Sequence, residues 1–342
     1  MKAAVLRGID DLRLEEVDDP SPGRDEVLIR IKACGVCGTD IHMWEGKNNE
    51  GTFPFIPGHE WSGEVMEVGR DIKALSAGDL VVGEPFIGCG VCSNCRDGIG
   101  ANMCEDWEYY GFSWDHPGGM AEYVVTKQPR LYKVPEGLSH EEAALVEPVS
   151  VCHFAIWGLA GGVAPHDRVV IFGAGPIGML GLLTCNASGA PAVVVEPGTY
   201  RRKMAEDLGA ASVIDPTQGD VVQQILDHTG GRGATLILEC SGTDQALAAT
   251  MDVIAKHGRI CLIGHSIGRK VPIEIGRLIW QGATVVGSPG APFYFEKTLA
   301  FMALHLVDLT EVITQRFSLN DVQEAFSLGK RTTDSVKILL EP

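Results

Sequence analysis

The sequence is short of positive charge. Across 342 residues, 28 Lys and Arg stand against 45 Asp and Glu, a formal net charge of −17. General nucleic-acid binding needs a basic footprint, so that class of function is excluded. Electrostatic steering of an anionic cofactor by the whole molecule is excluded with it. No secretory leader is expected either: Met1 to Asp11 reads MKAAVLRGIDD, without an apolar core of sufficient length. Long apolar runs are scarce. The one membrane suspect, Val169 to Cys185 (VVIFGAGPIGMLGLLTC), is interrupted by four glycines and a proline. There is no internal repeat and no low-complexity tract. With 45% hydrophobic and 21% charged residues, wholesale disorder is also excluded.

What the chain does have is length and thiols. At about 150 residues per domain, the length predicts two domains, each able to bury a core without disulfides. Ten cysteines without a leader point to a reducing, cytoplasmic setting, where thiols bind metals or pack. Up to about Pro148 the texture is β-rich, with short alternating runs such as Glu26–Lys32, Gly63–Val68 and Leu80–Val82. Ser139, with Glu142 three residues later, marks a capped helix start. From about Val151 apolar strands alternate with helices: Val169–Phe172, Val193–Val195, Leu236–Leu238, Ile260–Ile263 and Thr284–Val286. Strands buried on both faces and separated by helices mean a parallel α/β sheet. A final strand is predicted over Val336–Leu340. The expected division is 1–150, 151–287 and 288–342, the last segment returning to the first domain.

Gly173-Ala174-Gly175-Pro176-Ile177-Gly178 fits G-x-G-x-x-G, and it follows a strand and opens a helix, as a dinucleotide fingerprint must. Such glycines let backbone N–H groups approach a pyrophosphate at the helix N-terminus. Glu196, at the end of the next strand, is placed to accept from a ribose 2′-OH and to repel a 2′-phosphate, which favours NAD. Cys89, Cys92, Cys95 and Cys104 form a row in one loop, about 88–105, able to close a tetrahedral, structural zinc site. Three further patches are Gly35-Val36-Cys37-Gly38-Thr39-Asp40-Ile41-His42, Gly58-His59-Glu60 and Glu147-Pro148-Val149-Ser150-Val151. Cys37, His59 and a carboxylate are a mixed donor set suited to a zinc with an open position. Singly, each of these residues has an ordinary structural explanation.

Taken together, GVCGTDIH, GHEWSGEV, the cysteine row, EPVSV, GAGPIG and EPGTYRR resemble the zinc-dependent medium-chain dehydrogenase/reductase superfamily, in its polyol (sorbitol/butanediol) and threonine dehydrogenase branch. The resemblance covers essentially the whole chain. It implies an α/β protein: a β-rich GroES-like catalytic domain plus a Rossmann doubly wound parallel-sheet domain. It implies two zinc ions per subunit, one catalytic and one structural, and NAD. Cys37, His59, Glu60 and Glu147 match the catalytic zinc position, with direct binding by Glu60 or by Glu147 left open. Asp40 matches the carboxylate that orients the ligand histidine. Cys89, Cys92, Cys95 and Cys104 match the structural lobe, although eight residues precede the last cysteine where seven are usual. Gly173, Gly175, Pro176, Ile177, Gly178, Glu196, Arg201, Cys240, Gly264 and Ser288 match cofactor positions, and Val151 would lie behind the nicotinamide ring. The glutamate at 147 is typical of the polyol-like branch.

The implied chemistry is Lewis-acid activation of a secondary hydroxyl, with hydride passing to the nicotinamide. Thr39 is the expected first proton relay and His42 the next. Trp107, Tyr109, Tyr110, Phe112 and Trp114, with Trp44, Phe53, Phe55 and Trp61, could wall a pocket, and Glu108, Asp115 and His116 could be its polar partners. A polyol, cyclitol or sugar is the expected substrate. The alternatives are L-threonine 3-dehydrogenase, for which no carboxylate-binding arginine stands out, and vicinal-diol (butanediol) dehydrogenase. From other classes come a zinc-free quinone-type reductase and a non-catalytic NAD-binding protein. The expected partners are a small hydroxylated molecule and copies of the chain in a homotetramer or homodimer, with neither nucleic acid nor membrane.

Overall fold

A computed structural model describes residues 1–48, 51–98, 100–264, 270–331 and 334–342. They form two compact units: Met1–Glu147 with Pro292–His305 and Ile313–Pro342, and Pro148–Ala291 with Leu306–Val312. The sequence reading keeps 288–342 in one piece, whereas Leu306–Val312 packs with the second unit.

The first unit is built on a seven-stranded sheet. Its long strand, Glu26–Val36, pairs antiparallel with Glu60–Val68 along one edge. Its other edge is shared: Tyr123–Lys127 takes the first half and Lys337–Glu341 the last residues. Val27, Ile29 and Ile31 alternate inward, while Arg30 and Lys32 stand on the opposite face and both reach Glu64 across the ladder, at 2.7 and 2.8 Å. From Ala33 onward the alternation stops and every residue to Val36 is buried. There both faces are covered, by the helices His140–Ala144 and Val322–Arg331 among others. The helix after Ser139 is capped reciprocally: Ser139 Oγ accepts from Glu142 N (3.2 Å), and Glu142 Oε2 accepts from Ser139 N (2.8 Å).

The second unit is a six-stranded, wholly parallel sheet in the order Ser212–Ile214, Ala192–Val195, Val169–Phe172, Ala234–Glu239, Ile254–Leu262, Thr284–Gly287. The first strand in the chain lies centrally and the winding proceeds outward in both directions, the Rossmann arrangement. Val170, Ile237 and Ile260 are fully buried in its core. Ser212–Ile214 was not expected from sequence, because a three-residue strand is too short to show a period. The membrane suspect splits into the strand Val169–Phe172 and the helix Pro176–Ala187. No helix among the described residues is long and apolar enough to cross a membrane.

Candidate active site and metal centres

Antiparallel pairing of the first unit's two main strands sets Gly35 opposite Glu60. His59 and Cys37, each one or two residues outside the ladder, are thereby brought beside each other. One donor atom from each of Cys37, His59 and Glu60 lies within 4.8 Å of the other two. His59 and Glu60 are 3% and 2% exposed. Buried side chains of this kind are costly without partners. His59 Nδ1 has no hydrogen bond, and the nearest carboxylate, Asp40, is 3.6 Å away. Asp40 itself is locked, accepting from the backbone N–H of Cys37 (3.0 Å) and of Gly58 (3.3 Å). Burial opposes charge on His59, but Asp40 and Cys37 outweigh it and hold its pKa well above the usual imidazole range. A thiol, an imidazole and a carboxylate converging in a buried, anion-rich spot fit a zinc ion.

Glu147, at the start of the helix Val146–His153, is not one of the three grouped donors. Burial pushes its carboxyl up to about 7; Glu60 and Asp40 add to the rise, and His59 and Lys337 oppose it. It belongs to the same electrostatic cluster. Thr39 (part-buried) and His42 (exposed) sit three residues apart on the helix Gly38–Trp44, and so share a face.

Lys337 is the residue that sequence reading missed. It is 1% exposed, forms an ion pair with Glu60 Oε2, and donates to the Val36 carbonyl at 3.1 Å. Burial pulls its pKa down, yet Glu60, Cys37 and Glu147 more than compensate and raise it. A lysine in a terminal apolar strand ordinarily marks the solvent face, so no local signal separates it from its neighbours.

The aromatic residues divide. Tyr109 and Phe112 stand edge-on to the His59 ring, at 5.3 and 6.5 Å between centroids, and pack on each other at 4.3 Å. Phe86 and Trp107 extend this wall from Tyr109. Burial, with Glu147 and Cys37 close by, raises the Tyr109 phenol well above its ordinary pKa. Phe55 and Trp61 lie in the first unit's hydrophobic core, as Phe112 itself does, Trp44 and Tyr109 pack against that core, and Trp114 is largely exposed. His116 pairs with Glu108 at 3.0 Å and its ring lies against Tyr110.

The four-cysteine loop gathers a second donor set that could hold a metal ion. Donors of Cys89, Cys92, Cys95 and Cys104 lie within 4.8 Å of one another, and all ten cysteines of the chain are free thiols. Cys92 Sγ and Cys104 Sγ are 3.8 Å apart. That matches the edge of about 3.8 Å in a tetrahedron with metal–sulfur bonds of about 2.3 Å. Backbone N–H groups of Cys89, Cys92, Cys95 and Asp106 point at these sulfurs at 3.2–3.5 Å. The N–H of Glu105, with that of Cys95, draws the Cys92 thiol down to about 6. At Cys95 the pull of the Gly90 N–H is outweighed by burial and by Cys92 and Cys104, so that thiol rises to about 12. Nests of this kind hold thiolates for a structural zinc, and the fourth ligand leaves no open position.

In the second unit, Gly173 has φ +90°, and a Cβ on Gly178 would lie 1.9 Å from the Gly173 carbonyl oxygen. The loop and the helix behind Gly175, Pro176 and Ile177 can have this shape only with glycine at both positions. Glu196 Oε2 accepts from Ala174 N and Oε1 from Gly198 N, each at 2.8 Å. This fastens the second strand's end to the glycine loop. Arg202 is committed to the fold through Asp215 (3.0 Å) and the Glu196 carbonyl, whereas Arg201 Nη1 lies 3.8 Å from where a Cβ on Gly175 would be. Cys240 N donates to the Phe172 carbonyl, and a Cβ on Gly264 would strike Gly242 N at 2.2 Å. The Ser288 hydroxyl is buried and has no hydrogen-bond partner. A glycine cradle with an orphaned buried hydroxyl fits a dinucleotide.

Comparison with known proteins agrees with this chemistry. Residues 23–136 match the model of the alcohol dehydrogenase GroES-like domain, and residues 176–303 that of the zinc-binding dehydrogenase domain. The chain is 36% identical to L-threonine 3-dehydrogenase of Pyrococcus furiosus over 92% of its own length and 91% of the relative's. It is 32% identical to scyllo-inosose 3-dehydrogenase of Thermotoga maritima, covering 96% and 90% of the two chains. Among solved structures, 2R,3R-butanediol dehydrogenase of Bacillus subtilis superposes with a TM-score of 0.90 at 30% identity, over 100% of this chain and 99% of that one.

Proposed function

Because the chain belongs to the zinc-dependent medium-chain dehydrogenase family, we propose that it oxidises a secondary hydroxyl of a polyol, cyclitol or sugar to a ketone, with NAD as the hydride acceptor. The observation that carries this reading is the Cys37–His59–Glu60 donor set, its His59 and Glu60 buried, beside Tyr109 and Phe112. Cys37, His59 and Glu60 would hold a zinc ion, which would supply Lewis-acid polarisation of the substrate hydroxyl, and the glycine loop would hold the dinucleotide that serves as hydride acceptor. Asp40 keeps the His59 ring oriented and compensates charge on it. Thr39 accepts the hydroxyl proton from the dry side as it gives up its own, and His42, on the same helix face at the exposed end, carries that proton on to solvent. Glu147 adds the carboxylate that distinguishes this centre from a plain alcohol site. Tyr109 and Phe112 exclude water and cover the carbon skeleton, while the Tyr109 phenol offers a hydrogen bond to a neighbouring hydroxyl.

The first unit is thus the catalytic domain and the second the cofactor domain. The Glu196 carboxylate disfavours a 2′-phosphate, which supports NAD over NADP. The chain assembles as a homotetramer, or as a homodimer, through the edge strand Thr284–Gly287. Beside it the helix Ile275–Gln281 exposes Ile279 (76%) and Trp280 (82%). Free thiols throughout suit a reducing cytoplasm.

A second reading, L-threonine as substrate, needs a cation for the carboxylate. Arg130 is one: its guanidinium lies 5.1 Å from the Tyr110 ring centre, and its buried Nε and Nη2 have no acceptor. The test is one panel of polyols, cyclitols, sugars, diols and L-threonine, read by NADH absorbance on metal-replete protein. Turnover of L-threonine alone, lost on Arg130→Ala, would select the second reading. Full activity without metal would refute both.

A further inference from the structure

Lys337 sits where a lysine is least expected, inside the sheet and against a metal-binding carboxylate. Its strand pairs with the end of Glu26–Val36, where Leu339 faces Gly35 from one side as Glu60 faces it from the other. Directly opposed residues share a face, and so do residues two apart on one strand. Lys337, Leu339, Gly35 and Glu60 therefore all point the same way. The lysine reaches Glu60 diagonally over the Cα of Gly35. A Cβ at Gly35 would fall 2.0 Å from Glu60 Oε2 and 2.9 Å from Lys337 Cε. Gly35 has an ordinary strand conformation, so its small size is needed only to admit this ion pair. Glu60 Oε2 has no hydrogen-bond donor besides this contact.

We propose that Lys337 is a positioning residue of the Cys37–His59–Glu60 centre, holding the Glu60 carboxylate so that it does not become a permanent ligand and close the position a substrate hydroxyl must occupy. The inference rests on the metal site described above. Glu60 has two cations to choose between, and Lys337 keeps one claim on it. Deleting Lys337 frees the carboxylate to collapse onto the metal.

The test uses full-length protein with Co(II) exchanged into the Cys37 centre and zinc left in the four-cysteine lobe. Lys337→Met is expected to shift the visible Co(II) absorption and to slow metal extraction by a chelator about tenfold, on the scale of outer-sphere effects on metal sites, while turnover falls. In a Glu60→Gln background the same substitution is expected to change neither spectrum nor extraction rate. An equal change with and without Glu60 would mean through-space charge rather than positioning and would overturn the proposal, as would an unchanged spectrum accompanied only by a lower Tm. If Lys337→Met does not fold, Lys337→Arg keeps the charge on a longer, planar head. Positioning then predicts a shifted spectrum, and a wild-type spectrum overturns it. Wild-type protein that takes up no Co(II) at Cys37 would instead overturn the metal site itself.

Discussion

The two candidate metal centres of this chain are built in opposite ways. The four-cysteine centre is assembled within one loop, its first and last ligands only 15 residues apart, and its thiolates are stabilised by the loop's own backbone N–H groups. The Cys37 centre is assembled from strand ends. Its donors stand at and just beyond the ends of two paired strands, its histidine lies 3.6 Å from a helix carboxylate, and its glutamate is paired with a lysine near the C-terminus. A local site can be made closed and rigid; a site at the meeting of several elements can leave a coordination position open. The difference is the one expected between a centre that holds the fold and one that does chemistry, the roles proposed above for the two donor sets.

Substitutions should break that contrast in a definite order. Cys37→Ser should lower kcat by ~10²–10³-fold, as removal of a charge-stabilising group does, with NAD affinity and Tm little changed; titration calorimetry and thermal melts check this. Cys104→Ser should do the reverse, costing on the order of 3 kcal/mol of stability while folded protein keeps its turnover number. Equal loss of kcat in the two variants would erase the distinction. Glu196→Ala should lower the NAD/NADP ratio of kcat/KM by about tenfold, the scale of one lost charge-assisted hydrogen bond. An unchanged ratio would assign the ribose contact elsewhere.

The smallest effect concerns pH. With its pKa raised to about 7, Glu147 in the folded, metal-free protein keeps a proton that the unfolded chain releases near its ordinary value of 4.5. The folded state binds more protons across that window, so stability falls as pH rises through it. Protein stripped of metal at the Cys37 centre should show a Tm that declines between about pH 4.5 and about pH 7, and Glu147→Gln should flatten the decline. A Tm rising over the same range would contradict the direction of the shift.

Much of the molecule was legible before any coordinates. The alternation of Glu26–Lys32, the Ser139/Glu142 cap and the glycine loop are local signals, and local periodicity or turn chemistry carries them. The cysteine row was legible because spacing alone can close a tetrahedron. The aromatic residues were not: nothing in sequence separates Trp44, Phe55 or Trp61 from Tyr109 and Phe112, all five pack in or against one core, and packing alone turned the last two edge-on to His59. Arg201 and Arg202 are adjacent and chemically identical, yet the helix turns one toward the glycine loop and the other toward Asp215.

By itself, then, the sequence determined the two classes of domain, the dinucleotide loop and the identity of the metal-seeking side chains, because each is encoded in contiguous residues. Only the tertiary structure decided that Lys337 belongs to the Cys37 centre, and why Gly35 must lack a side chain there. Strand register is set by the burial of whole faces, and it alone brings a residue near the C-terminus over a glycine near the N-terminus to meet Glu60.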